Sequence, residues 1–256
     1  MPKTPRGFFW YELMTSDVKA AEAFYGAVVG WRSEKFGGNA MNYTVMNAAD
    51  RGAAGIMDIP DDAKAMGAGP TWLGYIYVDD VDAAVESLKK AGGKVHSAPQ
   101  DIPEVGRFAV VADPQGVTFM LMKPSQPDQP PVAAGTPGHI GWHELLANDG
   151  KSAFDFYASQ FGWTKGDAMD MGAMGTYQLF TLGSEPVGGI MTKPANVPQQ
   201  YWLFYFTVPA LDAAVATVKA KGGTLLFDPM EVPGGSWIVQ GKDPQGAVFA
   251  LTAAKR

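Results

Sequence analysis

Two hydrophobic periods alternate along the chain. Residues Phe8–Met14 form an apolar run that is typical of a strand, and the next segment carries apolar residues at helical spacing: Ala20, Ala21, Phe24, Tyr25 and Val28. Asp17 is suited to cap this helix and Gly30 to end it. Short strands are predicted next, at residues 42–46 and 53–59. The pattern therefore predicts a strand, a helix and then further strands.

The same order begins again at Trp72. A strand over Trp72–Val78 precedes a helix whose apolar face carries Val81, Ala84, Val85 and Leu88, and this helix ends at Gly92-Gly93. Strands near 94–97, 108–112 and 117–122 follow, with a hairpin turn at Asp113-Pro114-Gln115-Gly116. We call each such β-α-β-β-β segment a module.

The second half of the chain repeats the first. Ten of the 22 positions from Trp10 to Trp31 are identical to those from Trp142 to Trp163, and the turn returns at 243–246. Helices are predicted again near 151–161 and 211–221. A repeat of this length predicts two domains, at 1–123 and 138–256, joined by a proline-rich linker at 124–137.

These motifs resemble the vicinal-oxygen-chelate superfamily, which includes glyoxalase I, bleomycin-resistance proteins and extradiol dioxygenases, and in particular its tandem, glyoxalase-like bacterial members. The resemblance is carried by Asp17, Phe24-Tyr25, Gly30-Trp31, their counterparts in the second half and the two Asp-Pro-Gln-Gly turns. It covers nearly all of the chain outside the linker. It implies an α+β fold in which four βαβββ modules pair into two domains, each with a curved, mostly antiparallel sheet and helices on the convex side.

The superfamily holds a divalent metal with up to four His, Glu or Gln side chains, one from each module. The resemblance places these positions at residues that are not ligands of such metals: Trp10, Gly55 or Met57, Leu73 or Trp72, and Met120 in the first half, and Trp142, Gly189 or Met191, Leu203 or Trp202, and Ala250 in the second. We therefore expect no metal ion and no other cofactor.

Histidine is scarce. His139 and His143 lie four apart on a predicted strand and so share a face, but two ligands would need help from elsewhere to hold a metal. A surface or interdomain histidine pair is the favoured interpretation.

Glu12 and Glu144 are the candidate catalytic residues. Each alternates with a tryptophan on an apolar strand, so each is expected to face the side where the superfamily has its cavity. A carboxylate in such a place is costly unless it is paired, and burial would raise its pKa, as is common at functional sites. A structural role, with hydrogen bonds from the backbone or from Tyr and Trp donors, fits the sequence equally well.

Six aromatic residues are candidates for ligand binding: Trp10, Tyr43 and Tyr75 in the first half, and Trp142, Tyr177 and Tyr205 in the second. With the two glutamates they are expected to line a concave cavity in each domain. The helical Phe24, Tyr25, Phe156 and Tyr157 are expected in the core instead.

The amino-acid composition limits the kinds of partner that the protein is expected to bind. The net charge of −6 argues against nucleic acid and leaves a cationic or neutral small molecule as the ligand. The absence of cysteine excludes disulfides and thiolate chemistry. No apolar run is long enough for a signal peptide or a membrane span, so we expect a cytoplasmic protein without a membrane partner. It is expected to be a monomer acting as a fused pair of domains, or a homodimer.

Three classes of function follow. The favoured one is a metal-free protein that binds a small aromatic or cationic compound. The alternative is an enzyme, a lyase, isomerase or dioxygenase-type relative of glyoxalase that uses Glu12 or Glu144 as general base or an unconventional metal site. In the third, the cavities are filled and the protein associates with a partner. The fold by itself does not choose among them.

Overall fold

A computed structural model describes residues 6–36, 42–49, 51–126 and 132–256. The elements of the first half are β1 (Phe8–Thr15), α1 (Val18–Val29), β2 (Arg32–Phe36), β3 (Tyr43–Ala48), β4 (Arg51–Asp58), α2 (Asp61–Ala65), β5 (Thr71–Tyr77), α3 (Val81–Lys90), β6 (Lys94–Ile102), β7 (Gly106–Ala112) and β8 (Thr118–Pro124). The short helix α2 lies between the predicted strands of the first two modules, where the hydrophobic pattern predicts no element.

The second half follows the same order. Its elements are β9 (Ile140–Ala147), α4 (Gly150–Phe161), β10 (Thr164–Asp170), β11 (Thr176–Leu182), β12 (Glu185–Thr192), β13 (Tyr201–Thr207), α5 (Leu211–Ala220), β14 (Thr224–Leu225), β15 (Met230–Glu231), β16 (Trp237–Lys242) and β17 (Val248–Ala253). The two short strands β14 and β15 take the place that the continuous β6 has in the first half.

The helix ends are the ones that the sequence predicted. The Asp17 side chain accepts a hydrogen bond from the backbone N–H of Ala20, and Gly30 adopts the left-handed conformation with φ of 86°. Asp149 and Gly162 do the same for α4. These local signals fix where each helix begins and ends, and hence where each first strand places its side chains.

Each half of the chain forms one sheet. The strand orders are β2-β3-β4-β1-β5-β8-β7-β6 and β10-β11-β12-β9-β13-β17-β16-β14, with β15 beside β16. The pairs β1/β4, β5/β8, β9/β12 and β13/β17 are parallel, and antiparallel pairs flank them. The predicted α+β fold of four paired modules is confirmed, and both sheets are mixed.

The compact units of the structure do not coincide with the two halves of the sequence. Unit 1 contains the described residues of Met1–Phe9, Leu73–Pro130 and His143–Trp202, whereas unit 2 contains those of Trp10–Trp72, Pro131–Trp142 and Leu203–Arg256. In unit 1, α3 packs against α4, and in unit 2, α1 packs against α5. Each unit therefore combines one module from each half.

A buried tyrosine ties the core of unit 2 together. The Tyr25 hydroxyl accepts a 2.9 Å hydrogen bond from the Trp72 indole N–H and donates a 3.1 Å bond to the Asp243 carboxylate. The other oxygen of Asp243 accepts the backbone N–H groups of Gln245 and Ala247, which closes the Asp-Pro-Gln-Gly turn. Burial raises the pKa of the Asp243 carboxyl, while these hydrogen bonds act in the opposite direction.

Unit 1 contains the equivalent arrangement. Tyr157 accepts the Trp202 indole N–H at 2.9 Å and donates to Asp113 at 3.3 Å. Tyr25 and Tyr157 are fully buried, and Phe24 and Phe156 beside them are buried, so the prediction that these helical aromatics belong to the core is confirmed. In each unit, the tyrosine of one half of the chain thus donates a hydrogen bond to the aspartate of the other half.

One prediction falls partly outside the described structure. Residues 127–131 of the predicted linker lie outside the described residues. Within the described part of the chain, none of the helices has the length and apolar character needed to cross a bilayer.

Candidate functional site

Glu12, Tyr43 and Trp10 come together in unit 2, and we call them the Glu12 cluster. Glu12 on β1 lies opposite Gly55 on β4, and Tyr43 on β3 pairs with Met57 on the other side of that strand. The Tyr43 side chain therefore crosses β4 diagonally, over Gly55, to reach the Glu12 carboxylate. Three of the predicted site residues are thus brought together.

Glycine is required at position 55 by this crossing. A Cβ atom added to Gly55 would lie 1.9 Å from the Tyr43 hydroxyl oxygen and 2.3 Å from the ring carbon that bears it. Gly55, one of the two residues at which the resemblance places a metal ligand on β4, is therefore covered by a tyrosine ring. No side chain can project from Gly55 unless that ring moves.

The hydrogen bonds of the Glu12 cluster run in one direction. The Trp10 indole N–H donates to the Tyr43 hydroxyl oxygen at 3.0 Å, and an indole has no acceptor to offer in return. The Tyr43 proton is directed to the Glu12 carboxylate. Burial first, and then the charge of Glu12 and this hydrogen bond, raise the pKa of Tyr43 well above its usual value. Tyr43 thus stays a neutral donor, and Glu12, only 4% exposed, is its acceptor.

Unit 1 holds the matching group, which we call the Glu144 cluster: Glu144, Tyr177 and Tyr201. Glu144 lies opposite Gly189, and Tyr177 pairs with Met191, so the same diagonal crossing occurs. The Tyr177 hydroxyl donates a 3.1 Å hydrogen bond to Glu144. A Cβ on Gly189 would lie 2.1 Å from the Tyr177 ring. Both halves therefore use one device, a tyrosine over a glycine that binds a carboxylate.

The two clusters differ in exposure and in one residue. Glu144 is half-buried, unlike Glu12. Tyr201, at the start of β13, lies close enough to Glu144 that this charge adds to burial in raising the pKa of Tyr201 to about 12. The matching position of the first half is Thr71. Tyr201 was missed in the sequence although it shares the strand face of Leu203 and Tyr205, and this alternation was the signal that could have identified it.

The other three predicted site residues belong to a different compact unit from the cluster of their own half. Tyr75 belongs to unit 1, whereas Trp142 and Tyr205 belong to unit 2. Tyr75 and Tyr205 are buried, which leaves little of either ring for a ligand, while Trp142 is half-buried. The Tyr205 hydroxyl accepts a 2.9 Å hydrogen bond from Gln240, a residue that the sequence did not single out.

The histidines have separate surroundings. His143 stacks on Phe8 with ring centroids 5.1 Å apart, and its Nδ1 lies 2.7 Å from the Val187 carbonyl oxygen, so Nδ1–H is the donor. Burial lowers the pKa of His143 to about 4, which keeps the ring neutral. His139 precedes β9, and burial followed by the charge of Arg51 lowers its pKa as well. His143 is therefore half-buried and packed against Phe8.

The donor set does not fit the superfamily's metal. Within the described ranges, no three His, Asp or Glu side chains come together in an arrangement that could hold a metal ion. The residue opposite each carboxylate, at an expected ligand position, is a glycine. A tyrosine ring covers each of these glycines. A single carboxylate that already accepts a tyrosine hydroxyl is a poor ligand set for a divalent cation.

A shallow depression of about 310 Å³ lies elsewhere in unit 1, between the end of α3 and the beginning of α4. Its lining residues are Ala91, Pro114, Gln115, Ser152, Ala153, Asp155, Phe156 and Ser159. It includes none of the predicted site residues.

Comparisons with known proteins place the repeat in a family. The model of the glyoxalase/bleomycin resistance protein/dioxygenase superfamily matches residues 7–121 and 137–251. A Mycobacterium tuberculosis protein named "Putative glyoxylase CFP32" is 32% identical over 246 residues, which cover 94% of this chain and 92% of that protein. The anthracycline biosynthesis protein DnrV of Streptomyces peucetius is 30% identical, and the match covers 94% of this chain and 91% of that protein.

A solved structure agrees on the fold. The Mn(II)-bound glyoxalase from Novosphingobium aromaticivorans superposes with a TM-score of 0.66 at 18% identity, covering 99% of this chain and 83% of that one. At this identity the likeness concerns the fold alone.

Proposed function

Because the chain belongs to the glyoxalase/bleomycin resistance protein/dioxygenase superfamily, we propose that it is a glyoxalase-like protein that binds a small aromatic or cationic compound without a metal ion. The observation that carries this proposal is the carboxylate–tyrosine pair in each half, Glu12 with Tyr43 and Glu144 with Tyr177. A carboxylate attracts a cation, and aromatic rings offer faces to planar or cationic ligands. The Glu12 and Glu144 clusters are the two candidate binding sites.

The acidic character of the protein supports a cationic rather than an anionic ligand. The net charge is −6, and both clusters are built around a carboxylate. A negative field raises the local concentration of cations and repels anions. The ligand class is therefore expected to be neutral or positive.

The residues at the superfamily's metal positions support the metal-free part of the proposal. Gly55 and Gly189 have no side chain, and the tyrosine rings above them occupy the space that a ligand would need. Elemental analysis of protein purified without chelators is expected to find no stoichiometric Zn, Ni, Mn or Fe. About one such metal per half of the chain would contradict the proposal.

Native mass spectrometry of freshly purified protein, followed by calorimetric titration, tests the binding part. The titration panel should include planar aromatic amines, neutral planar aromatics and an anthracycline, since one relative is named for anthracycline biosynthesis. We expect at least one aromatic or cationic compound of the panel to bind saturably, and anionic analogues not to bind. A panel in which only anions bind, or nothing binds, would refute the proposal.

A second candidate function, an enzyme of the lyase or isomerase type, is favoured by one observation. Glu144 is half-buried and hydrogen-bonded to a neutral tyrosine hydroxyl, which is a suitable setting for a general base. In this function, Glu144 would accept a proton from a carbon next to a carbonyl group. The test is the exchange of that proton for deuterium in D2O, which proton NMR detects. The exchange is expected to be lost in Glu144→Gln. Equal exchange rates in both proteins would exclude Glu144 as the base.

A further inference from the structure

We propose that the Glu144 cluster, and not the Glu12 cluster, holds the ammonium group of an amine-bearing aromatic ligand. This inference rests on the proposed function, because it selects one of the two candidate sites and the charged group that the site recognises. It makes the two halves of the repeat unequal, with the first carboxylate serving the fold and the second serving the ligand.

The Glu12 cluster is closed to a cation. Glu12 is 4% exposed, and the Tyr43 hydroxyl that approaches it is itself held by the Trp10 indole N–H. An ammonium group would have to displace Tyr43 from Glu12, which would leave the Trp10 donor without its acceptor. It would also have to lose nearly all of its water, and the full dehydration of a charge is expensive. Glu12 therefore fits the structural role that the sequence left open.

The Glu144 cluster is accessible to a cation. Glu144 is half-buried, so part of its surface remains in contact with solvent. A ligand ammonium at that surface can keep part of its hydration while it gains the attraction of the carboxylate. The Tyr177 hydroxyl donates a 3.1 Å hydrogen bond to Oε2 of Glu144, and this bond orients the carboxylate. The acceptor is therefore positioned before the ligand arrives.

Tyr201 supplies the second aromatic ring of the cluster. The charge of Glu144 contributes to the raised pKa of Tyr201, so the Tyr201 hydroxyl lies near enough to this carboxylate to interact with its charge. Tyr201 is half-buried, and its position in the first half is taken by Thr71, which has no ring. An aromatic ring near a carboxylate favours an organic ammonium group, since a ring face and a carboxylate each attract a cation.

The rigidity of the cluster favours selectivity. The Tyr177 ring packs directly over Gly189, where any Cβ would collide with it, and its hydroxyl is held by the hydrogen bond to Glu144. A preorganised site loses little conformational freedom on binding, so more of the interaction appears as affinity. The carboxylate and the neighbouring tyrosines fit an ammonium group attached to a planar ring.

Calorimetric titration with two matched probes tests the inference. The probes are 2-(1-naphthyl)ethylamine and 2-(1-naphthyl)ethanol, which share the ring and differ in the charged group. The full-length protein is expected to bind the amine at least about ten-fold more tightly than the alcohol, as for a charge-assisted hydrogen bond. Glu144→Gln should remove that preference, and Tyr201→Thr, which copies the residue at position 71, should reduce it several-fold. Glu185→Gln, an exposed substitution that removes the same charge, is the matched control.

The outcomes separate this inference from the proposed function. Loss of the preference in Glu12→Gln, with Glu144→Gln unchanged, would overturn the inference and leave the proposed function standing. Equal affinity of the wild-type protein for the two probes would also overturn the inference alone. Failure of both probes, together with the whole aromatic panel, would overturn both. A thermal melting curve for each variant shows whether a lost preference reflects a lost fold.

Discussion

The Trp31 indole N–H donates a 2.7 Å hydrogen bond to the carbonyl oxygen of Gly138, a residue of the other half of the chain. Trp163 makes the reciprocal bond to the carbonyl oxygen of Arg6. Both acceptors lie two residues before the first strand of a half. Each half therefore supplies a tryptophan that holds the segment leading into the other.

The first prediction is that neither half folds alone. Fragments 1–123 and 138–256 are expected to show no cooperative thermal transition separately, and to recover one when they are co-expressed. The reason is that α1 packs on α5 and α3 on α4, so each fragment alone exposes both of its packing faces. Circular dichroism melting curves of the fragments and of the complex make the measurement. A fragment that melts cooperatively near the temperature of the whole chain would contradict the prediction.

Local structure could be predicted from the sequence, and the partners of the repeated motifs could not. Asp17 and Gly30 act through neighbours in the chain, so their positions identify the helix ends. Tyr25 and Asp243 are 218 positions apart, and a repeat shows that two segments are alike without showing which of them touch. The interleaving of the modules therefore appears only in three dimensions.

Only part of the candidate site could be predicted from the sequence, because the site also depends on which strands pair in space. Alternation along β1 placed Trp10 and Glu12 on one face, and the hydrogen bonds through Tyr43 agree with that. The diagonal crossing of Tyr43 over Gly55 depends on the register of three strands, which no single strand pattern encodes. Tyr201 was missed because the metal positions, rather than the aromatic alternation, guided the interpretation of β13.

The second prediction concerns the buried tyrosines. Tyr25→Phe is expected to lower the free energy of unfolding by about 1–3 kcal/mol, because the Trp72 indole N–H loses its acceptor and the buried Asp243 carboxylate loses a donor. Urea unfolding at neutral pH makes the measurement. Tyr77→Phe, which removes a hydroxyl with only a 3.4 Å contact to Asp79, is the control. A Tyr25→Phe loss no larger than that of the control would show that the network is not stabilising.

The third prediction concerns Gly55. The Gly55→Ala variant should lose about 1–3 kcal/mol of stability, since its new Cβ would lie 1.9 Å from the Tyr43 oxygen. In the double variant with Tyr43→Val, the loss should be smaller than the sum of the two single losses, because the smaller side chain leaves room for the methyl group. Gly69→Ala is the matched control, as a Cβ there meets nothing within 4 Å. The prediction fails if the double variant is destabilised by the sum of the two single changes.

The fourth prediction is a pH dependence from His143. The pKa of this ring is about 4 in the folded protein and 6.5 in the unfolded chain, so the unfolded state takes up the proton first as the pH falls. The contribution of the neutral ring is fully present above pH 6.5 and is lost as the pH falls to about 4. The loss amounts to roughly 3 kcal/mol.

Substitution of His143 by tyrosine, the residue at the matching position 11, isolates this effect. The free energy of unfolding of the wild-type protein between pH 7 and pH 4 should fall by roughly 3 kcal/mol more than that of His143→Tyr. His96→Gln, at an exposed position, controls for the loss of a histidine. Parallel pH profiles for wild type and His143→Tyr would show that the ring is protonated without penalty in the folded state.

The interleaving of the two compact units sets an order on folding at the ribosome. Unit 1 ends at Trp202, but unit 2 joins Trp10–Trp72 to Leu203–Arg256 and so cannot be completed before the final residues emerge. At typical synthesis rates, the first module waits roughly 10–40 s for its partner. During that interval the surface of α1 that packs against α5 has no native contact, so it is exposed to chaperones and to other chains. Slow translation beyond Trp72 is therefore expected to lower the yield of native protein.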